Sequence, residues 1–168
     1  MPVYNKVIFV CMDNICQSPM AATLMKSMKR DEWLTVESRG LIVLFPEPYS
    51  AKAVTIMRNH GYKLENDTAR QLEMEDFGEK TLILTMNREE KQKIINEYTG
   101  ALNVYTVMEF AESSGDIMDP YGGETELYEI SNKLFSDKEF YDKTVSSCKK
   151  VFEEQQGALE FVINVLKN

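Results

Sequence analysis

Near the start of the chain an unbroken β-branched and aromatic run, Lys6–Val10, leads into Cys11–Ser18 and then into Pro19 and the helix formers Met20, Ala21, Ala22, Leu24, Met25 and Met28. A continuous apolar run this short reads as a strand buried on both faces, which only a sheet covered by helices on each side provides. Ser18 suits a helix N-cap and Pro19 the first helical position, where a missing N–H costs nothing.

The remaining elements keep the alternation. Leu34–Ser38 can form a second strand, and Ser50 caps a helix that runs to His60 and stops at Gly61. Thr81–Thr85 is a third strand with the polar-faced helix Arg88–Glu97 behind it, and Asn103–Tyr105 a short fourth. Lys143–Lys167 carries Val145, Cys148, Phe152, Phe161, Val162, Val165 and Leu166 at roughly helical spacing, with Gly157 as a weak point. Strands alternating with helices imply an α/β fold, a parallel sheet covered on both faces. Such sheets bind ligands beyond the C-terminal ends of their strands, where the strand order switches direction. The loop after the first strand is therefore the first place to look.

The 168 residues suffice for one domain with a real core and are too few for two, so residues 1–168 are read as a single domain. No repeat or low-complexity tract interrupts them. A net charge of −8 makes general nucleic-acid binding an unfavourable role, and any anionic substrate must be held by a local device. Three cysteines, two of them five positions apart, make a poor disulfide framework and suit a reduced interior. The Val7–Val10 run is too short for a signal sequence or a membrane span. The expectation is a cytoplasmic, soluble monomer that binds neither membrane nor nucleic acid.

The segment Cys11-Met12-Asp13-Asn14-Ile15-Cys16-Gln17-Ser18 joins a buried strand to a helix N-terminus. A tight loop there turns successive N–H groups inward and adds the helix dipole, forming an anion cradle. Cys11 lies at its base, and a field that attracts phosphate also favours the thiolate, the nucleophilic form. A buried, inert thiol is the alternative reading of the same pattern. Zinc ligation by Cys11, Cys16, Cys148 and His60 fits no common spacing. Asp119-Pro120 taken alone reads as a turn.

In this frame the sequence resembles the low-molecular-weight protein tyrosine phosphatases. Their signature is a strand ending in Cys, a short loop, then Arg and Ser or Thr, usually with Pro after it. Here stand Val-Ile-Phe-Val-Cys11, Asn14, Cys16, Ser18 and Pro19-Met20-Ala21. Further matches follow in order: Glu37-Ser38-Arg39-Gly40, Arg58-Asn59-His60-Gly61, Ala69-Arg70-Gln71-Leu72, Leu82-Ile83-Leu84-Thr85-Met86, Val104-Tyr105-Thr106, Glu109-Phe110-Ala111 and Asp119-Pro120-Tyr121-Gly122-Gly123. The resemblance implies a three-layer fold, a four-stranded parallel sheet with helices on both faces. It also implies a two-step hydrolysis of phosphomonoesters, in proteins or small aryl phosphates, without a cofactor. Cys11 would form a cysteinyl-phosphate, and Asp119 would protonate the leaving group and then activate water. Ser18 would donate to the Cys11 thiolate, Asn14 and Ser38 would brace the loop, and Tyr121 would wall the slot. The loop residues Met12, Asp13, Asn14, Ile15 and Cys16 would receive the phosphoryl group, with Phe45 and Tyr49 beside the mouth or simply packed on the domain. In relatives a cysteine at the position of Cys16 can form a reversible disulfide with the nucleophile; a small apolar filler is the other reading.

The chain departs from that pattern in three places. Gln17 stands where the signature Arg would clamp two phosphoryl oxygens, a charged bidentate contact worth about 3–4 kcal/mol in the transition state. Losing that cation should also raise the Cys11 pKa. Asp13 replaces a Gly; Asp tolerates a positive φ, but its carboxylate repels a dianion unless it points outward. Asp67 stands where many relatives carry a bracing His. The leading expectation is a phosphatase of lowered activity on aryl phosphates, and the alternative a pseudophosphatase that binds a phosphorylated or acidic partner. A protein-arginine phosphatase is disfavoured by Ile15, and a thioredoxin-coupled arsenate reductase by the lack of resolving cysteines other than Cys148.

Overall fold

The computed structural model describes residues 4–28, 32, 34–64, 67–112, 114–117 and 154–166. Four strands, β1 (Lys6–Cys11), β2 (Thr35–Gly40), β3 (Thr81–Thr85) and β4 (Val104–Thr106), form one parallel sheet in the order β2-β1-β3-β4. Helices α1 (Gln17–Met28), α2 (Ala51–Asn59) and α3 (Arg88–Glu97) link them, α4 (Val107–Phe110) follows β4, and a last helix, α5, spans 154–166.

Alternation along β1 explains the layers. Val7, Phe9 and Cys11 point to one face and pack with Met20, Leu24 and Met25 of α1, Ala53, Ile56 and Met57 of α2, and Leu159, Val162, Ile163 and Leu166 of α5. Ile8 and Val10 point to the other face, with Ile83, Val104 and Ile94 of α3. Both faces are dry, so the strand is apolar throughout rather than alternating. From β1 the chain crosses to β2 on one side, and β3 lies on the other. The strand order thus reverses at the C-terminal end of β1, where the loop 11–18 begins.

Several boundaries differ from the sequence reading, each for a local reason. Helix α1 starts at Gln17, so Pro19 is its third residue and Ser18 is not its cap. The Met20 N–H already donates to the Cys16 carbonyl at 3.1 Å, and proline is tolerated because first-turn N–H groups lack intrahelical partners. Pairing of Cys11 with Gly40 carries β1 and β2 beyond Val10 and Ser38. Strand β4 starts after Asn103, which takes a φ of 54° and sends its side-chain amide to the carbonyls of Gly78, Glu79 and Thr81. Ser50 precedes α2 as expected but its hydroxyl makes no capping bond, and Gly61 ends that helix at a φ of 84°. In α5, Phe161 and Val165 face outward rather than inward; Leu159 and Ile163 take the inner stripe with Val162 and Leu166. Val145, Cys148 and Phe152 lie outside the described residues. No helix among the described residues is long and apolar enough to cross a membrane.

Candidate active site

Cys11 is the last residue of β1 and is 1% exposed. The loop after it is shaped by its carbonyls, which are held from outside. Leu41 N–H donates to Cys11, Ile42 N–H to Met12, Ser50 N–H to Ile15 and Met20 N–H to Cys16, all within 3.1 Å. With those carbonyls engaged, the Asn14 N–H lies 3.3 Å from Cys11 Sγ. The turn requires a left-handed residue, and Asn14 supplies it with a φ of 58°. Asp13 is not among the positive-φ residues, so its tolerance of that conformation is not called on; the strain falls on Asn14, whose short amide suits it.

Asn14 is fully buried and its side chain spans the loop. Its Nδ2 donates to Ser18 Oγ at 2.8 Å and to Ser38 Oγ at 2.9 Å, and its Oδ1 accepts from the Arg70 N–H at 2.9 Å. Ser18 Oγ stands 2.9 Å from Cys11 Sγ. Gly40 allows the close approach of β2's end, since a Cβ there would come within 3.0 Å of both Asn14 Cβ and the Asp13 carbonyl carbon. Asp67 accepts from the Thr68 N–H and pairs with Arg70 at 3.2 Å. The bracing donor is the Arg70 backbone.

The electrostatics oppose ionisation of the thiol. Burial, followed by the carboxylates of Asp13 and Glu90, pushes Cys11 up to about 12, against the downward pull of the Ser18 hydroxyl and N–H. Asp13 does not point outward. Its Oδ1 accepts from the Ile15 N–H at 3.4 Å and lies 3.9 Å from Cys11 Sγ. Glu90 is buried at the start of α3, where Oε1 accepts from the Met86 N–H at 3.0 Å. Gln17 is buried, and its carbonyl accepts from Gln155 Nε2 of α5 at 2.9 Å.

The structure therefore brings Cys11, Asp13, Asn14, Ser18 and Ser38 together. Met12 and Ile15 are half-buried in the loop, while Cys16 is buried with Sγ turned to Met20 Sδ at 3.8 Å. Neither Cys11 nor Cys16 is in a disulfide. Phe45 is 62% exposed, whereas Tyr49 packs against the larger core cluster. Asp119 and Tyr121 lie outside the described residues. Asp116 accepts from the Arg88 N–H at 3.1 Å, at the start of α3. Among the described residues no group of three or more His, Cys, Asp or Glu could hold a metal ion. Sequence reasoning missed Glu90 and Gln155. For Glu90 a signal existed: Asn87 caps α3 with Glu90 three residues on, the spacing of a reciprocal cap, although Glu90 reaches the N–H one residue earlier.

A doubly wound parallel sheet with a buried thiol at its switch point, inside a braced loop that opens onto a helix, is the architecture of the cysteine-loop phosphatases. Comparison with known proteins agrees. The family model for low molecular weight phosphotyrosine protein phosphatases matches residues 6–156. The low molecular weight protein-tyrosine-phosphatase PtpB of Staphylococcus haemolyticus is 32% identical over 123 residues, 73% of this chain and 86% of that protein. PtpB of Staphylococcus aureus is 29% identical over the same shares. Among solved structures, a low molecular weight protein tyrosine phosphatase from T. tengcongensis superposes with a TM-score of 0.73 at 28% identity, covering 96% of this chain and 99% of that one. A variant of the YwlE arginine phosphatase with a phosphorylated active-site serine gives 0.77 at 26% identity, covering 97% and 96%. The chain belongs to the low molecular weight phosphotyrosine protein phosphatase family.

Proposed function

We propose that the chain is a cysteine-dependent phosphomonoesterase acting on aryl phosphates such as phosphotyrosine in proteins, with turnover lowered by Gln17. The observation that carries this reading is the placement of Cys11 Sγ at the C-terminal end of β1, 2.9 Å from Ser18 Oγ, in a loop braced by Asn14 and Ser38. The Cys11 thiolate attacks phosphorus while the bond to the aryl oxygen breaks, and Asp119 gives that oxygen its proton. Asp119 then takes a proton from water, which attacks phosphorus and returns the thiolate. Backbone N–H groups of the Met12–Cys16 loop hold the phosphoryl oxygens, with Phe45 and Tyr121 beside the ring. A thiolate and a carboxyl suffice for both steps, so no cofactor is called for.

Gln17 offers neutral donors where the family has a cation, and a missing charged donor of this kind costs on the order of 10²–10³ in rate. The inward Asp13 carboxylate favours the second reading, a pseudophosphatase that binds a phosphorylated or acidic partner without turnover. Hydrolysis of p-nitrophenyl phosphate, compared with Cys11→Ser, separates the two. Slow turnover abolished by the substitution supports the enzyme; equal rates in both proteins refute it. Asp119→Ala should slow phenyl phosphate far more than the nitrophenyl ester, and equal losses would remove Asp119 as the acid. We read residues 1–168 as one unit, monomeric and cytoplasmic.

A further inference from the structure

The feature of the loop that the family resemblance does not supply is the direction of Asp13. Its carboxylate turns in toward Cys11, accepting from the Ile15 N–H at 3.4 Å with Cys11 Sγ 3.9 Å away. A backbone N–H beside the nucleophile is the kind of donor on which a phosphoryl oxygen would rest. We propose that the Asp13 carboxylate is a built-in anion that occupies the loop of the resting protein and has to swing out before a phosphoryl group enters, so that residue 13 sets the affinity for phosphate. This rests on the loop being the phosphate cradle of the reading above, and adds to it the group that competes for the cradle.

First, the backbone of residue 13 has little freedom. A Cβ on Gly40 would meet the Asp13 carbonyl carbon at 3.0 Å, Ile42 N–H holds the Met12 carbonyl at 2.9 Å, and the next residue, Asn14, is tied to three partners. The movement that frees the cradle is therefore a rotation of the Asp13 side chain. Second, that rotation has somewhere to go, because Asp13 is half-buried rather than enclosed. Third, the carboxylate and an incoming phosphate carry the same sign within a few ångströms of one thiol, and Glu90 adds a second negative charge acting on that thiol. Like charges at such separations oppose each other strongly away from bulk water. Binding therefore has to break the Asp13 contacts, and it leaves the displaced carboxylate nearby. An uncharged residue at this position would oppose phosphate much less.

The test is equilibrium binding of inorganic phosphate to the full chain and to Asp13→Asn and Asp13→Ala, measured by calorimetry at fixed ionic strength. Asn keeps an oxygen for the Ile15 N–H but no charge; Ala removes both. Both should bind phosphate at least about tenfold more tightly than the parent, a difference of about 1.4 kcal/mol, with Ala at or above Asn. Asn is nearly isosteric, so it decides the matter if Ala fails to fold. Equal or weaker binding by the folded Asn variant would overturn the proposal and leave the phosphatase reading standing on its turnover test. Absence of phosphate binding in all three proteins would overturn the proposal together with the cradle.

Discussion

Replacing Asn14 with Ala should be among the most damaging single changes in the loop. Its side chain is fully buried and makes three hydrogen bonds, to Ser18, to Ser38 and from the Arg70 N–H. At about 1 kcal/mol net for each, their loss comes to about 3 kcal/mol. The residue also holds a φ of 58°, where an ordinary Cβ costs roughly 1–2 kcal/mol and Asn suffers less than Ala. The expected total is about 4 kcal/mol, read from urea unfolding by circular dichroism. At an m-value of about 2 kcal/mol per molar, the midpoint should fall by roughly 2 M. Ser38→Ala removes one of the three bonds and should cost about 1 kcal/mol. Because that bond is already gone in the Asn14 variant, the double variant should be little worse than Asn14→Ala alone. A loss below about 1 kcal/mol for Asn14→Ala, or full additivity with Ser38→Ala, would refute the brace.

The thiol and the last helix offer further tests. A Cys11 pKa raised from 9.0 to about 12 leaves the thiol protonated at neutral pH, so alkylation by iodoacetamide, followed on the Cys11 peptide by mass spectrometry, should climb only above pH 10. Because the folded state holds this proton longer than the unfolded chain, stability relative to Cys11→Ser should be constant below pH 9 and fall as pH rises toward 12. An alkylation midpoint near pH 8 would contradict the burial argument. Glu90→Gln keeps an acceptor for the Met86 N–H and removes one of the charges that raise the thiol, so it should speed alkylation at a given pH. In α5, Gln155 is buried with Nε2 on the Gln17 carbonyl and near Met86 Sδ, and with Oε1 lacking a partner among the described residues. Gln155→Met therefore deletes one good bond and one orphaned acceptor together, and should change stability by less than about 1.5 kcal/mol, whereas an ordinary lost amide would show more.

Much of the scaffold was legible because its signals are local. The apolar runs Val7–Val10 and Thr81–Thr85 read as doubly buried strands, and the polar-faced run Arg88–Glu97 after the second reads as the helix that follows it. Errors came where tertiary contacts outvote local preference. Ser18 looks like an N-cap, yet its hydroxyl faces Cys11 and Asn14 instead. In α5 the helical period is visible in the sequence, but the period does not say which of its apolar residues meet the sheet, and Phe161 and Val165 are exposed while Val162 and Leu166 are buried. The site was less legible than the fold. Cys11, Asn14, Ser18 and Ser38 were found through the family pattern; spacing alone left an inert thiol open. The inward turn of Asp13 is a side-chain rotation, which no sequence pattern encodes. Gln155 meets the Gln17 carbonyl across 138 residues of chain, a contact beyond any local signal.

On the proposed reading, the loop after β1 is a catalytic loop that lacks chiefly its cationic clamp. The most direct test is kcat of Gln17→Arg on p-nitrophenyl phosphate, beside the parent and the Gln17→Arg/Cys11→Ser double variant. An added guanidinium tightens on the phosphoryl oxygens as charge spreads over them, so the gain should fall mainly in kcat and reach at least about 10²-fold. It should vanish in the double variant. An Arg variant that folds, binds phosphate and turns over no faster than the parent would contradict the account.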